Sequence, residues 1–205
     1  MDKLKKILCV NQKVFVFLIG LMIVAVLFGS SLPLFLNGND KSLVTEYLAN
    51  FVNQVKDGVD FIFLLKNGLI GNFSFLIFIW LLGISVIGIP IVLFLFFSKC
   101  FVFGFSISSI IINYGFKGLL FSFGYIFPHL VINIFIYGLL ASYSLIFSIK
   151  LIGLILKKYD FNIRVSFNKY FKVFLLCSCI LLISVIYESF INPYVLKFIF
   201  NLLGL

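Results

Sequence analysis

Charged side chains are scarce in this chain: they make up 11% of its 205 residues, whereas apolar side chains make up 63%. A water-soluble domain of this size would expose that apolar excess as a large sticky surface. In hydrocarbon the same composition is what a spanning helix needs, because a helix satisfies its own backbone hydrogen bonds. The composition therefore excludes a soluble globular domain and predicts an all-α, polytopic membrane helix bundle.

Groups that carry out catalysis or bind metals are also few. The chain has one His, and it contains no HExxH, GxSxG or P-loop motif. The four cysteines, Cys9, Cys100, Cys177 and Cys179, include no CxxC pair, which argues against a zinc site or a disulfide framework. We therefore expect no enzymatic activity, no metal and no cofactor.

Apolar stretches separated by polar turns predict about five spanning helices in one membrane domain, residues 1–205. The first span covers residues 14–36 and follows a lysine-rich segment, residues 1–13. Because this span is longer than the roughly 7–15-residue apolar core of a signal peptide, we expect an uncleaved anchor. A central apolar region covers residues 69–156. The last span covers residues 173–191, and a short tail, residues 192–205, ends the chain.

Pro90 interrupts the apolar run 69–97 and leaves two registers open, because proline kinks or breaks a helix. In the first, one long tilted helix ends near Lys99 and the third span covers residues 101–127. In the second, the chain turns at Pro90 and the next span runs to about Asn113. The second register buries Lys99 at a cost of about 2.5–3.5 kcal/mol. The first register is therefore preferred.

Small residues recur in the central region. Gly115, Gly118 and Gly124 are compatible with a broken or re-entrant stretch before the fourth span, which begins at Pro128. Pairs of small residues four positions apart let helices approach closely, within one chain or between copies in a homo-oligomer. These pairs are Ala25/Gly29, Gly104/Ser108, Gly138/Ser142 and Ser144/Ser148.

The segment between the first two spans, residues 37–68, has a water-facing side. Apolar side chains recur at helical spacing over residues 42–66, with Gly58 as a weak point, and polar side chains take the other face. This pattern predicts an amphipathic helix on the membrane surface or packed on the bundle. Its polar side chains are candidate partner-binding residues: Glu46, Asn50, Asn53, Asp57 and Asp60.

Basic residues orient the bundle. They cluster in residues 1–13 and in the connection 157–172, and the positive-inside rule places both in the cytoplasm. Five spans then put the amphipathic segment and the C-terminus outside. Topology and anionic lipid headgroups account for the net charge of +9, so nucleic acid is not an expected partner.

Polar side chains in or beside apolar runs are the candidate functional residues, because such groups are costly in hydrocarbon. The set is Lys99, Lys117, His129, Asn133 and Glu188, and the prolines Pro90, Pro128 and Pro193 are further structural or functional candidates. Glu188 is expected to pair with Lys117 or His129 and to fix the last span to the middle of the bundle. The alternative is that these side chains reach toward the headgroups.

A series of short strings in the second half of the chain points to a family. The series starts with Trp80-Leu-Leu-Gly-Ile-Ser-Val-Ile-Gly-Ile-Pro90. It continues with Lys99, Gly115-Phe-Lys-Gly118, Pro128-His129 and Glu188-Ser-Phe-Ile-Asn-Pro193. Their order and spacing resemble the stage II sporulation protein M family, most clearly over residues 69–135.

One string departs from the family pattern. Many relatives carry Pro-His-Gly followed by a Glu and a Pro. Here Leu130 follows His129, and Asn133 and Phe135 occupy the later positions. Any role inferred for that Glu therefore does not carry over to this chain.

The resemblance implies a multi-pass protein of the bacterial cytoplasmic membrane without enzymatic activity of its own. In endospore formers, proteins of this family act in engulfment, where they hold the peptidoglycan-degrading stage II sporulation proteins D and P at the septum. The expected function is thus a membrane scaffold, located in the septal or engulfing membrane if the source sporulates. Its expected partners are membrane lipid and those two proteins.

The residues also allow a second function, a small-molecule or ion transporter or channel. It would use Lys99, Lys117, His129 and Glu188 around a continuous polar path through the bundle. No inverted repeat, which is common in transporters, is visible in the sequence, and this disfavours transport.

Overall fold

The computed structural model describes residues 2–57, 61–156 and 162–203, and within these ranges the chain is helical apart from short turns. The helices are α1 (Asp2–Ser31), α2 (Gly38–Asp57), α3 (Phe61–Gly83), α4 (Gly88–Phe121), α5 (Phe127–Ile155), α6 (Ile163–Phe190) and α7 (Asn192–Leu203). Five of them, α1 and α3 to α6, are long and apolar enough to cross a membrane. The predicted all-α membrane bundle with five spans is therefore confirmed.

α5 is the central helix of the bundle. Of its most apolar window, 61% is buried inside the protein, against at most 28% for the other spanning helices. Small hydroxyl side chains let α3 approach it closely. Ser144 donates to the carbonyl of Ile79 at 3.3 Å, and Ser148 donates to that of Gly83 at 2.7 Å. These bonds satisfy polar groups that hydrocarbon would leave unpaired.

α1 packs closely against α4 through the predicted small residues. A Cβ atom on Gly29 would strike the carbonyl of Phe101, and one on Gly104 would strike the carbonyl of Val26. Ser108 donates to the carbonyl of Ser30 at 2.7 Å. The small-residue pairs in these two helices thus serve packing within the chain.

The structure corrects the preferred register around Pro90. α3 ends at Gly83, a tight turn follows, and α4 begins at Gly88. Pro90 lies in the first turn of α4, where its missing N–H costs no hydrogen bond. Gly88 is needed there because a Cβ would strike the carbonyl of Leu82. Lys99 therefore lies inside a spanning helix, as the second register requires, and not at an interface.

α4 itself breaks at Gly115. Its φ of 57° and ψ of −134° belong to a region that only glycine adopts readily. Gly118 then lies against the carbonyl of Ile110, eight residues earlier, so the chain reverses direction at the break. A π-helical turn, Ser122–Ile126, leads into α5. The expected broken stretch is thus a reversal, and the expected third span over residues 101–127 is wrong.

Two further boundaries differ from those expected. α2 ends at Asp57, and residues 61–66 belong to α3, because their run of apolar side chains suits a spanning helix rather than an amphipathic one. The connection predicted over residues 157–172 is shorter, since Arg164, Lys169 and Lys172 already lie in α6. The tail after residue 191 forms α7.

The bundle has two different ends. One carries α2, α7 and the break at Gly115, and we call it the capped end. The other carries the turn between α3 and α4 and the start of α6, and we call it the basic end. Lys150, Arg164, Lys169 and Lys172 lie toward the basic end.

Candidate functional site

Polar side chains from five helices meet inside the bundle, in its half toward the capped end. We call this set the polar cluster; its members are Asn72, Lys99, His129, Asn133, Tyr137, Ser184, Glu188 and Asn192. α3, α4, α5, α6 and α7 each contribute at least one of them. Such a concentration is costly in hydrocarbon and marks a functional or structural centre.

Lys99 is held by aromatic rings. Its Nζ atom lies 4.6 Å from the ring centroid of Phe75 and 5.8 Å from that of Tyr137. A cation over an aromatic face gains about 0.5–2 kcal/mol, and more where water is excluded. The carboxylate of Glu188 is also close enough to attract the Lys99 ammonium group. These interactions offset the cost of burying Lys99, which is the reason why the sequence alone favours the first register.

Two hydrogen bonds join α5 to its neighbours within the cluster. The Tyr137 hydroxyl donates to Asn72 Oδ1 on α3 at 2.8 Å. The Ser184 hydroxyl on α6 donates to Asn133 Oδ1 at 2.8 Å, and both of these side chains are buried. The amide oxygen of Asn72 therefore links α3 to α5, and that of Asn133 links α5 to α6.

The His129 ring lies between α6 and α7. Its Nε2 atom is 3.7 Å from Glu188 Oε1, and its Nδ1 atom is 3.4 Å from Asn192 Nδ2. Gly68 on α3 faces this part of α6, since a Cβ there would lie 3.1 Å from Val185 Cγ1 and 3.9 Å from Glu188 Oε2. The structure thus brings Glu188 to His129, one of its two expected partners. Lys117 lies on the exposed side of α4, beyond the reversal at Gly115.

A second feature covers the capped end. Val52 of α2 and Leu196 of α7 are buried against Ile110 and Phe121 of α4. Thr45 of α2 also donates to Asn113 Oδ1 at 2.7 Å. We call α2 and α7 together the cap, because both pack on α4 near its break at Gly115.

The candidate partner-binding residues lie on the cap. Glu46, Asn50 and Asn53 are exposed on α2. Asp57 is the last residue of α2, and Asp60 lies outside the described residues. The predicted amphipathic helix therefore exposes Glu46, Asn50 and Asn53 among its described side chains.

The three proline candidates lie at helix starts. Pro90 and Pro128 are in the first turns of α4 and α5, and Pro193 is buried in the first turn of α7. In a first turn the missing proline N–H would have no helical partner in any case. These prolines therefore set where helices begin, and two of them adjoin members of the polar cluster: Pro128 precedes His129, and Pro193 follows Asn192.

Sequence reasoning missed four members of the polar cluster: Asn72, Tyr137, Ser184 and Asn192. Asn72 is an amide within an apolar run, which is the same signal that singled out Asn133. Ser184 and Tyr137 carry no such signal, since serine and tyrosine are common in spanning helices. From the sequence, Asn192 marks only the end of the last span.

The sequence profile of stage II sporulation protein M matches residues 14–193. The chain belongs to the stage II sporulation protein M family. The match runs from α1 to the first turn of α7 and contains the whole polar cluster and α2. Neither the curated proteins nor the solved structures searched gave a match.

Membership in the stage II sporulation protein M family indicates a sporulation-associated membrane protein. Across the described ranges, no group of three or more His, Cys, Asp or Glu side chains could hold a metal ion. The chemistry that the described polar cluster offers is hydrogen bonding and charge pairing between helices. At the cap, α2 exposes the polar side chains of Glu46, Asn50 and Asn53.

Proposed function

We propose that this protein is a non-enzymatic membrane scaffold that positions peptidoglycan-degrading proteins. The observation that carries the proposal is the cap: two helices pack on one end of the bundle, and α2 exposes polar side chains there. A surface helix with exposed Glu46, Asn50 and Asn53 has side chains suited to hydrogen bonding with a folded partner.

The charge distribution supports an outward-facing cap. Lys150, Arg164, Lys169 and Lys172 lie toward the basic end, and the lysine-rich start of α1 belongs to that end as well. The positive-inside rule then favours a cytoplasmic basic end. The cap would accordingly face the peptidoglycan, where wall-degrading partners work.

The proposed partners are the stage II sporulation proteins D and P, as the family resemblance implies. The polar cluster has a supporting role in this proposal. It ties α7 to α5 and α6 through His129, Glu188 and Asn192, and so holds one half of the cap in place.

Co-purification from membranes tests the proposal. The affinity-tagged chain is expected to recover both partner proteins from sporulating cells. Replacing Asn50 and Asn53 by Glu should abolish recovery, because two new charges alter the docking face while acidic residues contribute little to topology. Asn168→Glu is the matched control, since Asn168 is exposed at the basic end. Recovery of neither protein, together with normal engulfment in a deletion strain, would contradict the proposal.

Transport is the second candidate function, and the position of Lys99 and Glu188 inside the bundle favours it. Transport would need a continuous polar path through the bundle. Against it, the hydroxyl groups in the half toward the basic end already donate to backbone carbonyls of α3 and the turn after it; they belong to Ser144, Ser148 and Tyr170. Ion or solute flux into proteoliposomes that depends on Lys99 would favour transport over the scaffold.

A further inference from the structure

The single histidine of the chain, His129, lies where α5, α6 and α7 meet. Its side chain is 7% exposed, and its two ring nitrogens face groups on different helices. Nε2 faces Glu188 of α6, and Nδ1 faces Asn192 of α7. Histidine is the side chain whose charge ordinarily changes between about pH 5 and 8. The charge of this ring therefore acts directly on the junction between α6 and α7.

The Glu188 carboxylate lies near two side chains that can carry positive charge. Its Oε1 atom is 3.7 Å from His129 Nε2, which is longer than a hydrogen bond. Lys99 attracts the same carboxylate from α4. The Oε2 atom is buried and accepts no hydrogen bond from the described residues. Because the carboxylate is not tightly bonded to His129, a change in the charge of the ring can shift its position.

The groups around this pair leave His129 as the one that titrates near neutral pH. Among the described side chains, the Tyr137 hydroxyl of α5 also senses the Glu188 carboxylate. α3 presents Gly68 and α7 presents Asn192, and neither residue titrates. The Glu188 side chain is 29% exposed, so it connects the buried ring to the surface and gives a proton a way in.

The two charge states of the ring hold α7 differently. A cationic imidazole donates from both nitrogens, to the Glu188 carboxylate and, once the Asn192 amide turns over, to the oxygen of that amide. Hydrogen bonds of a charged group are about twice as strong as neutral ones. A neutral ring has one donor and one acceptor and no charge with which to hold the carboxylate against Lys99. α7 then depends mainly on its buried apolar anchor, Leu196.

We infer that His129 and Glu188 form a proton-sensitive switch that controls how firmly α7 is docked. At low pH the cationic ring draws the carboxylate away from Lys99 and holds Asn192, so α7 stays on the bundle. As the pH rises the ring loses its proton, the carboxylate moves toward Lys99, and the docking of α7 weakens. A single residue, Ile191, joins α6 to α7 and is the point at which α7 can move. The switch belongs to the fold of the cap and acts whether or not the cap binds a partner protein.

Distances between spin labels in nanodiscs test the switch. The labels are placed at exposed positions of α6 and α7, Ile183→Cys and Phe198→Cys, in a cysteine-free chain. Leu196→Ala is added to the same chain, because loss of the buried anchor brings docked and undocked α7 into a measurable range. The ratio of docked to undocked α7 should fall about three- to tenfold from about pH 5 to about pH 8. A control pair between α5 and α6, Ile132→Cys with Ile183→Cys, should keep its distance.

Variants of the switch decide which groups cause the change. His129→Gln and Glu188→Gln should each remove the pH dependence of the α7 distance. Lys172→Gln, at the basic end, should leave it intact. An unchanged ratio in the chain with His129 and Glu188, or the same pH dependence after His129→Gln, would overturn the inference.

Nuclear magnetic resonance follows the ring itself without any variant. Because the chain has one His, ring-¹⁵N-labelled histidine gives the signals of His129 alone when the affinity tag contains no histidine. These signals should change over the same pH interval as the α7 distance. Ring signals that stay constant while α7 moves, or that change while α7 stays docked, would also overturn the inference.

Discussion

Lys99 shows how one residue tolerates hydrocarbon. Its ammonium group lies over Phe75 and Tyr137 and is attracted by Glu188. None of these partners is near Lys99 in sequence. Local sequence alone therefore disfavours the second register, which buries Lys99 and which the structure adopts. Phe75 also does more than fill space, since its ring packs edge-to-face against that of Tyr137, with the ring centroids 4.7 Å apart.

Phe75→Leu is predicted to lower the free energy of unfolding by about 1–3 kcal/mol, because it removes a cation–π and an aromatic contact. Phe78→Leu, on the same helix but 57% exposed, should change it by less than about 0.5 kcal/mol. Unfolding in detergent, followed by circular dichroism, measures both. Equal effects would show that Lys99 gains nothing from the Phe75 ring.

The contact between His129 and Glu188 predicts energetic coupling. In a double-mutant cycle with His129→Gln and Glu188→Gln, the two changes should couple by about 0.5–2 kcal/mol. Each single variant leaves its neighbour without the opposite partner, whereas the double variant removes both. A parallel cycle of His129→Gln with Lys172→Gln should be additive, since Lys172 lies at the basic end. Additivity in the first cycle would show that His129 and Glu188 do not interact.

Gly115 carries backbone strain that another residue would not accept. Gly115→Ala is predicted to destabilise the protein by about 1–3 kcal/mol, because its φ of 57° disfavours a Cβ although the space around it is open. Gly71→Ala is the control, since Gly71 lies in α3 with nothing nearby, and alanine favours helix there. Thermal unfolding in detergent compares them. A Gly115→Ala variant as stable as the wild type would show that the reversal does not need glycine.

At the scale of elements, the contact of α1 with α4 depends on missing side chains. Ala25 is fully buried, and the Gly29 and Gly104 backbones touch the opposite helix. These positions were recognisable from their spacing of four. Whether they would pack within the chain or between copies was not recognisable, since both use the same surface chemistry.

Gly29→Ala is predicted to separate α1 from α4 and to cost about 1–3 kcal/mol, because the new methyl group strikes the carbonyl of Phe101. Gly20→Ala is the matched control on the same helix, since nothing lies within 4 Å of a Cβ there. Limited proteolysis of detergent-solubilised protein reports the loosened helix. Similar protection of both variants would contradict the packing described.

At the scale of the whole molecule, the orientation proposed for the bundle makes the cap accessible from outside the cell. In a cysteine-free background, Asn50→Cys should react with a membrane-impermeant maleimide in intact cells. Asn168→Cys, at the basic end, should react only after the membrane is permeabilised. The reverse pattern would invert the orientation and remove the cap from the side of the peptidoglycan.

The sequence by itself determined that this protein lies in a membrane, how many spans it has and which face of α2 is polar. Each follows from composition and local periodicity, which depend on neighbours along one chain segment. Tertiary structure alone decided where α3 ends, which rings hold Lys99 and which helices the amides of Asn72 and Asn133 join. These outcomes depend on partners 24 to 65 residues away, so no local pattern encodes them. The physical reason is that hydrocarbon penalises any unpaired polar group, and only the assembled bundle supplies the pairs.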